Sequence, residues 1–219
     1  ATNPVQLVRK RYLKRYKNNG DNDSQTRKIV SVEDMAKLVN ETMNPKDKAV
    51  IVLLAKTGMR RGELVSLDID DVNMATRTIT LKPTAKRTNR VLFYDVETEI
   101  ALKDWLIRRE YYVEPGNRAL FVTQTGSRLN KNGVYDLVVA NATRSGLHNP
   151  ETLRLEDRFT PHCCRHWFTT HLRRAGMPRE QIQELRGDSR PDAMDIYYHI
   201  DPEDLRKSYL TCIPKLGLE

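Results

Sequence analysis

Three short segments hold residue types that could attack a phosphodiester. Thr57-Gly58-Met59-Arg60-Arg61-Gly62-Glu63-Leu64 comes first and Thr160-Pro161-His162-Cys163-Cys164-Arg165-His166 second. The third runs from Arg186-Gly187-Asp188 to Tyr197-Tyr198-His199. A diester is anionic, so a nucleophile is repelled until cations neutralise the non-bridging oxygens. Charge then grows in the five-coordinate transition state, where preorganised donors contribute most. Arginine suits that task because its planar fork binds two phosphate oxygens and stays charged at any workable pH. A phenol titrates near ~10, so its attack needs a proton acceptor, and the leaving oxygen needs a proton donor.

The elements around these residues must aim them. Arg60 follows Gly58, where a helix breaks and the chain turns, and a turn projects a side chain as a buried helix cannot. Glu63 is a candidate carboxylate for orienting Arg60 from behind. Thr160 is a good N-cap and Pro161 fits the first helical position, which puts His162 and Arg165 on one face of a first turn. Cys164, Phe168, Leu172 and Ala175 mark the buried stripe of that helix, with Arg165 at its edge. His166, Trp167 and Phe168 read as packing residues that orient it. A metal site at His162, Cys163, Cys164 and His166 is disfavoured, because neighbours on a helix point ~100° apart and cannot readily converge on one tetrahedral ion.

Composition narrows the partner. Among 219 residues, 37 Lys+Arg against 29 Asp+Glu give a net charge of +8 and a pI near 9.4. That excess points to a polyanion, nucleic acid before membrane surface, although a merely soluble basic protein has the same signature. No apolar run approaches the ~20 residues of a membrane span. Three cysteines, two of them adjacent, make no disulfide framework and fit a reducing cytoplasm.

Along the chain, residues 4–17 form a basic amphipathic segment, either a solvated helix or a DNA-backbone contact, and Asn18 to Gln25 is polar and linker-like. A domain boundary is expected near residue 28, with 1–28 as basic segment and linker and 29–219 as the main domain. Ser31 opens a helix with Val32, Met35, Leu38 and Val39 inward. Asn44-Pro45 opens a second whose Ala49–Ala55 stretch is apolar on every side, so it should be central. A short helix follows from Arg61 to Leu67. Thr78–Leu81 and Val91–Phe93 alternate with period two around the basic turn Lys82–Arg90. Ile100, Leu102, Trp105 and Leu106 are core candidates of the next helix. Ala119–Val122 is short and apolar and leads into a turn at Gly126. Helices are then expected near 130–145, 161–175, 178–186, 191–199 and 202–210. The fold class is α+β, mostly α-helical, with a small three-stranded antiparallel sheet.

In this order and spacing the segments resemble the catalytic domain of tyrosine recombinases, the phage-integrase family. The likeness runs from residue 30 to about 210. It implies Arg60 and Arg165 as phosphate clamps, His162 as general acid/base and Tyr197 as nucleophile. Tyr197 lies nine positions after Asp188 and two before His199, with Tyr198 as its neighbouring control. Lys86, in the turn between the strands, resembles the general acid for the leaving oxygen, with Lys82 the alternative. Arg61, Lys82, Arg87 and Arg90 are implied DNA contacts, and His199 a supporting residue. Asp188 departs from the pattern, because relatives carry His or Trp there. An unpaired carboxylate would repel the phosphate, which leaves Asp188 to pair with Arg186 or Arg190, or to accept a hydrogen bond in its turn.

The resemblance further implies site-specific strand exchange on double-stranded DNA at att-like sites, by a tetramer, through a 3′-phosphotyrosine and without cofactor or metal. A type IB-like topoisomerase and an impaired DNA-binding protein on the same scaffold are the alternatives. Asn3-Pro4-Val5 resembles the end of a preceding core-binding domain, so the chain reads as the catalytic half of a longer integrase. The tail Ile213–Leu218 is apolar at three positions. It is expected to dock on a neighbouring protomer, or else on its own domain or not at all.

Overall fold

Capping chemistry sets where the first helices begin. In the computed structural model, which describes residues 29–83, 90–152, 154–188 and 200–218, Ser31 Oγ accepts the Asp34 N–H and opens α1 (Val32–Glu41). Asn44 Oδ1 accepts from Lys46 and Asp47, and Pro45 fills the first position of α2 (Pro45–Thr57). α2 stops at Gly58, whose φ of +60° lies in the left-handed region. A Cβ there would sit 2.5 Å from the Phe168 ring, so both conformation and space demand glycine. α3 (Arg61–Ser66) starts almost at once, and Arg60 is held in the turn between two helices.

The short strands β1 (Val72–Asn73), β2 (Thr78–Thr80) and β3 (Val91–Phe93) form an antiparallel sheet in that order. Ile79 pairs with Leu92, and both are buried. Ala119–Val122 is buried too, but joins no strand of the sheet and forms isolated bridges, Asp68 with Ala119 and Val122 with Arg128. The remaining described helices are α4 (Val96–Arg109), α5 (Lys131–Arg144), α6 (Pro161–Arg174), α7 (Arg179–Arg186) and α8 (Pro202–Cys212). The helix expected at 191–199 falls outside the described residues. The class is as expected: mostly helical α+β with a three-stranded antiparallel sheet.

α2 is the centre, packed by α4, α5 and α6, and every residue from Ala49 to Thr57 is buried. Some core expectations shift: Val32 and Leu106 are only partly buried, though packed against the core. Ile100 is only half-buried while Ala101 is buried, since one step along a helix turns a side chain ~100° away. Ala175 is exposed, because it caps the end of α6 and lies past its last packed turn.

One buried charge ties the tail to the core. Lys56 is wholly buried and donates to Asp95 Oδ2 at 2.6 Å, Glu97 Oε2 at 2.5 Å and the Pro214 carbonyl at 2.5 Å. Glu97 in turn accepts the backbone N–H groups of Leu216, Gly217 and Leu218. Ile213 and Leu216 are buried, and Asn40 Nδ2 donates to the Leu216 carbonyl. The tail therefore docks on its own domain. Burial alone would push the Glu97 carboxyl up. The Lys56 hydrogen bond, the Leu216 N–H, the Lys56 charge and the Leu218 N–H outweigh it and hold the group below its usual range. A depressed carboxylate stabilises the fold above its unfolded pKa and loses that contribution as pH falls. Glu97→Gln is expected to cost about 3 kcal/mol at neutral pH, roughly 6–12 °C in Tm. Melting curves of the two proteins should converge as pH drops below ~4; a gap independent of pH would contradict this.

Candidate active site

The turn after α2, the first turn of α6 and the end of α7 meet at one carboxylate. Arg60 stands at the N-cap of α3, where Glu63 grips it twice. Glu63 Oε2 accepts the Arg60 backbone N–H at 2.6 Å, and Oε1 accepts from Nη1 at 3.1 Å. Glu63 is itself buried, while the Arg60 side chain is 38 % exposed.

Arg165 is set by α6. Thr160 N-caps that helix, with its own N–H directed at Cys163 Sγ, and Pro161 follows. Arg165, four residues on from Pro161, is buried rather than at the edge of the stripe. Its Nη1 donates to the Gly58 carbonyl at 2.5 Å and its Nη2 to the Arg186 carbonyl at 3.1 Å. It thus joins the end of α2 to the end of α7. Gly187, at φ +59°, ends α7 and turns the chain so that Asp188 points back at both arginines. Asp188 Oδ1 accepts from Arg60 Nη2 at 3.1 Å and from Arg165 Nη2 at 2.8 Å. Its Oδ2 lies 3.0 Å from Arg186 Nε, close enough for an ion pair but off the line of a hydrogen bond. The pairing with Arg186 is one of those expected, Arg190 lying outside the described residues; the pairing with both Arg60 and Arg165 is additional.

His162 is exposed on the first turn of α6, and His166 is exposed one turn later, its ring edge-on to His162 at 4.4 Å. The packing role expected of His166 is thereby corrected. Four residues on from His162 it shares the open face, whereas Trp167 and Phe168 turn into the core. An open groove of about 330 Å³ is lined by Arg60, Arg61, Tyr135, Pro161, His162 and Arg165. Tyr135, on the first turns of α5, was not singled out by the sequence. It sits under the Arg61 guanidinium, 5.9 Å from its ring centre, in cation–π range. An exposed aromatic shortly after the Asn130 cap was the one signal that could have marked it.

Lys82 ion-pairs with Asp68, and Arg90 Nε donates to the Leu81 carbonyl at 2.8 Å across the base of the hairpin. Neither lines the groove. Lys86, Arg87, Tyr197 and His199 lie outside the described residues. Cys163 and Cys164 are buried, and burial pushes the Cys164 thiol up, so it stays protonated. Among the described residues no group of three or more His, Cys, Asp or Glu could hold a metal. No described helix is long and apolar enough to cross a membrane.

Comparison with known proteins matches residues 28–204 to the phage integrase family. A tyrosine recombinase XerC of Herpetosiphon aurantiacus is 32 % identical over 178 residues, covering 78 % of this chain and 55 % of the relative. The chain spans little more than half the length of the curated relatives it matches. The crystal structure of XerA recombinase superposes with a TM-score of 0.66 at 26 % identity, covering 87 % of this chain and 67 % of that one. XerH site-specific recombinase, bound to a palindromic difH substrate in a post-cleavage complex, gives 0.64 at 25 % identity over 88 % of this chain and 53 % of that one.

Proposed function

The chain belongs to the phage integrase family, and on that premise we propose that it is the catalytic domain of a site-specific recombinase that cuts and rejoins double-stranded DNA. The observation that carries the proposal is the convergence of Arg60 and Arg165, from separate elements, on a single anionic oxygen, both arginines lining one groove with the exposed His162. A scissile phosphate between those arginines would meet two forks that need no reorganisation as charge develops. Tyr197 Oη would attack phosphorus and pass its proton to His162. The bond to the 5′-oxygen would break as Lys86 delivers a proton to it, leaving a 3′-phosphotyrosine and a 5′-hydroxyl. A second strand's 5′-hydroxyl would reverse the step. The covalent link conserves the bond energy, so the cycle consumes no nucleotide.

Glu63 would keep Arg60 aimed, while Arg61 and Tyr135 would line the path of the flanking strand. The relatives' names and the DNA-bound XerH support DNA as the partner; the tetramer on att-like sites is part of the proposal. A nicked suicide duplex, from which the cut strand's end diffuses away, tests it directly. A covalent protein–DNA adduct is expected, and exchange between two defined sites distinguishes recombination from simple relaxation. No adduct with any duplex would end the proposal.

Binding should also depend steeply on salt. Each phosphate neutralised releases counterions, so affinity is expected to fall by orders of magnitude between ~50 and ~200 mM salt. Anisotropy titrations that give a flat salt profile would contradict a backbone-dominated interface.

A further inference from the structure

The Asp188 carboxylate sits where the proposed reaction needs a phosphate. One of its oxygens receives an N–H from each of two guanidinium groups, 3.1 Å from Arg60 and 2.8 Å from Arg165. That is the coordination a non-bridging phosphate oxygen would receive. The donors are largely committed. Arg165 Nη2 serves Asp188 and the Arg186 carbonyl, Arg165 Nη1 serves Gly58, and Arg60 Nη1 serves Glu63. A diester bridging the two arginines must take over the N–H groups that Asp188 now holds. Exposure gives the carboxylate a way out: the Asp188 side chain is 29 % exposed, against 8 % for Arg165 and 6 % for Glu63. Of the two carboxylates on Arg60, Asp188 is the one that solvent can receive.

We propose that Asp188 is a built-in occupant of the diester seat, a carboxylate that takes the phosphate's place while no DNA is bound and yields to it on binding. The proposal rests on Arg60 and Arg165 being the diester clamp. The occupant offsets the repulsion between two facing cations, and so keeps the seat assembled. It also sets a threshold. A small oxyanion must displace it unaided, whereas DNA brings many further backbone contacts that help. The histidine or tryptophan of the family pattern would add a donor at this point; aspartate adds selectivity at the expense of one.

The test is thermal unfolding of the purified chain against inorganic phosphate at constant ionic strength. Wild type is compared with Asp188→Ala, Asp188→Asn and a control, Asp136→Asn, which removes the same charge from α5 without contacting either arginine. Phosphate is expected to raise the Tm of Asp188→Ala by roughly 2–5 °C more than that of wild type. Asp188→Asn should fall between, since its amide oxygen still accepts but carries no charge, and Asp136→Asn should match wild type. Equal shifts in all four proteins overturn the proposal. If Asp188→Ala does not fold, Asp188→Asn decides alone: a larger shift than wild type upholds the occupant, and a wild-type shift overturns it. The same proteins on the nicked duplex separate this proposal from the one beneath it. Ordered phosphate shifts without any adduct would keep the seat and end the recombinase reading. Adducts with equal shifts would keep the recombinase and make Asp188 a strut.

Discussion

Tyr197→Phe is expected to abolish the covalent adduct on a nicked duplex and to leave duplex affinity within a few-fold. Phenylalanine removes the oxygen that would bond to phosphorus. Affinity should survive, because a single hydroxyl contributes only ~1 kcal/mol to binding while backbone contacts dominate. Tyr198→Phe is the internal control and should still form the adduct. The choice between the two tyrosines comes from spacing alone, Tyr197 standing nine positions after Asp188 and two before His199. Adduct retained by Tyr197→Phe and lost in Tyr198→Phe would shift the register by one residue. Loss in both would indicate that the tyrosine pair positions the segment and that the nucleophile lies elsewhere.

Local rules made most of the scaffold legible. Asn44-Pro45 and Thr160-Pro161 announce helix starts because proline needs no donor there, and Gly58 announces a stop because α2 ends in the left-handed region. The all-apolar stretch from Ala49 to Ala55 marked α2 as central, as observed. Reading stopped one residue short of Lys56, however. Its burial depends on Asp95, Glu97 and the Pro214 carbonyl, which lie 39, 41 and 158 positions away, and no local pattern encodes partners at such separations. For the same reason the apolar tail was legible as something that must dock, while the place it docks was not. The answer required the Glu97 carboxylate to face three tail N–H groups.

The site divides in the same way. Arg60, Glu63, His162 and Arg165 are picked out by the family resemblance, with residue type and helix phase in agreement, since each sits within a turn of a cap. The bridge through Asp188 could not be read, because Arg60 and Asp188 are 128 residues apart. From the sequence the aspartate was a departure to be accommodated next door, at Arg186 or Arg190. Its pairing with two more arginines emerges only when α7 ends beside the turn that follows α2.

Arg165→Lys is therefore expected to do more damage than Arg60→Lys, although both remove one guanidinium from the same anion. Arg165 spans three acceptors, the Gly58 and Arg186 carbonyls and the Asp188 carboxylate, and is almost wholly buried. A lysine ammonium is a compact point charge and cannot reach across that span. The substitution would leave buried carbonyls unpaired, at about 1–3 kcal/mol each, and loosen the junction between α2 and α7. Cleavage should fall roughly 10³-fold or more, because a transition-state donor contributes ~3–4 kcal/mol. Arg60 is more exposed and remains anchored by its backbone N–H to Glu63 whatever its side chain. Arg60→Lys should thus lose comparable cleavage but little stability. Single-turnover adduct rates measured beside Tm separate the two contributions. If Arg165→Lys melts far below Arg60→Lys yet cleaves within about tenfold of wild type, Arg165 is a structural tie between helices, and the phosphate clamp must be sought in Arg60 and its exposed neighbours.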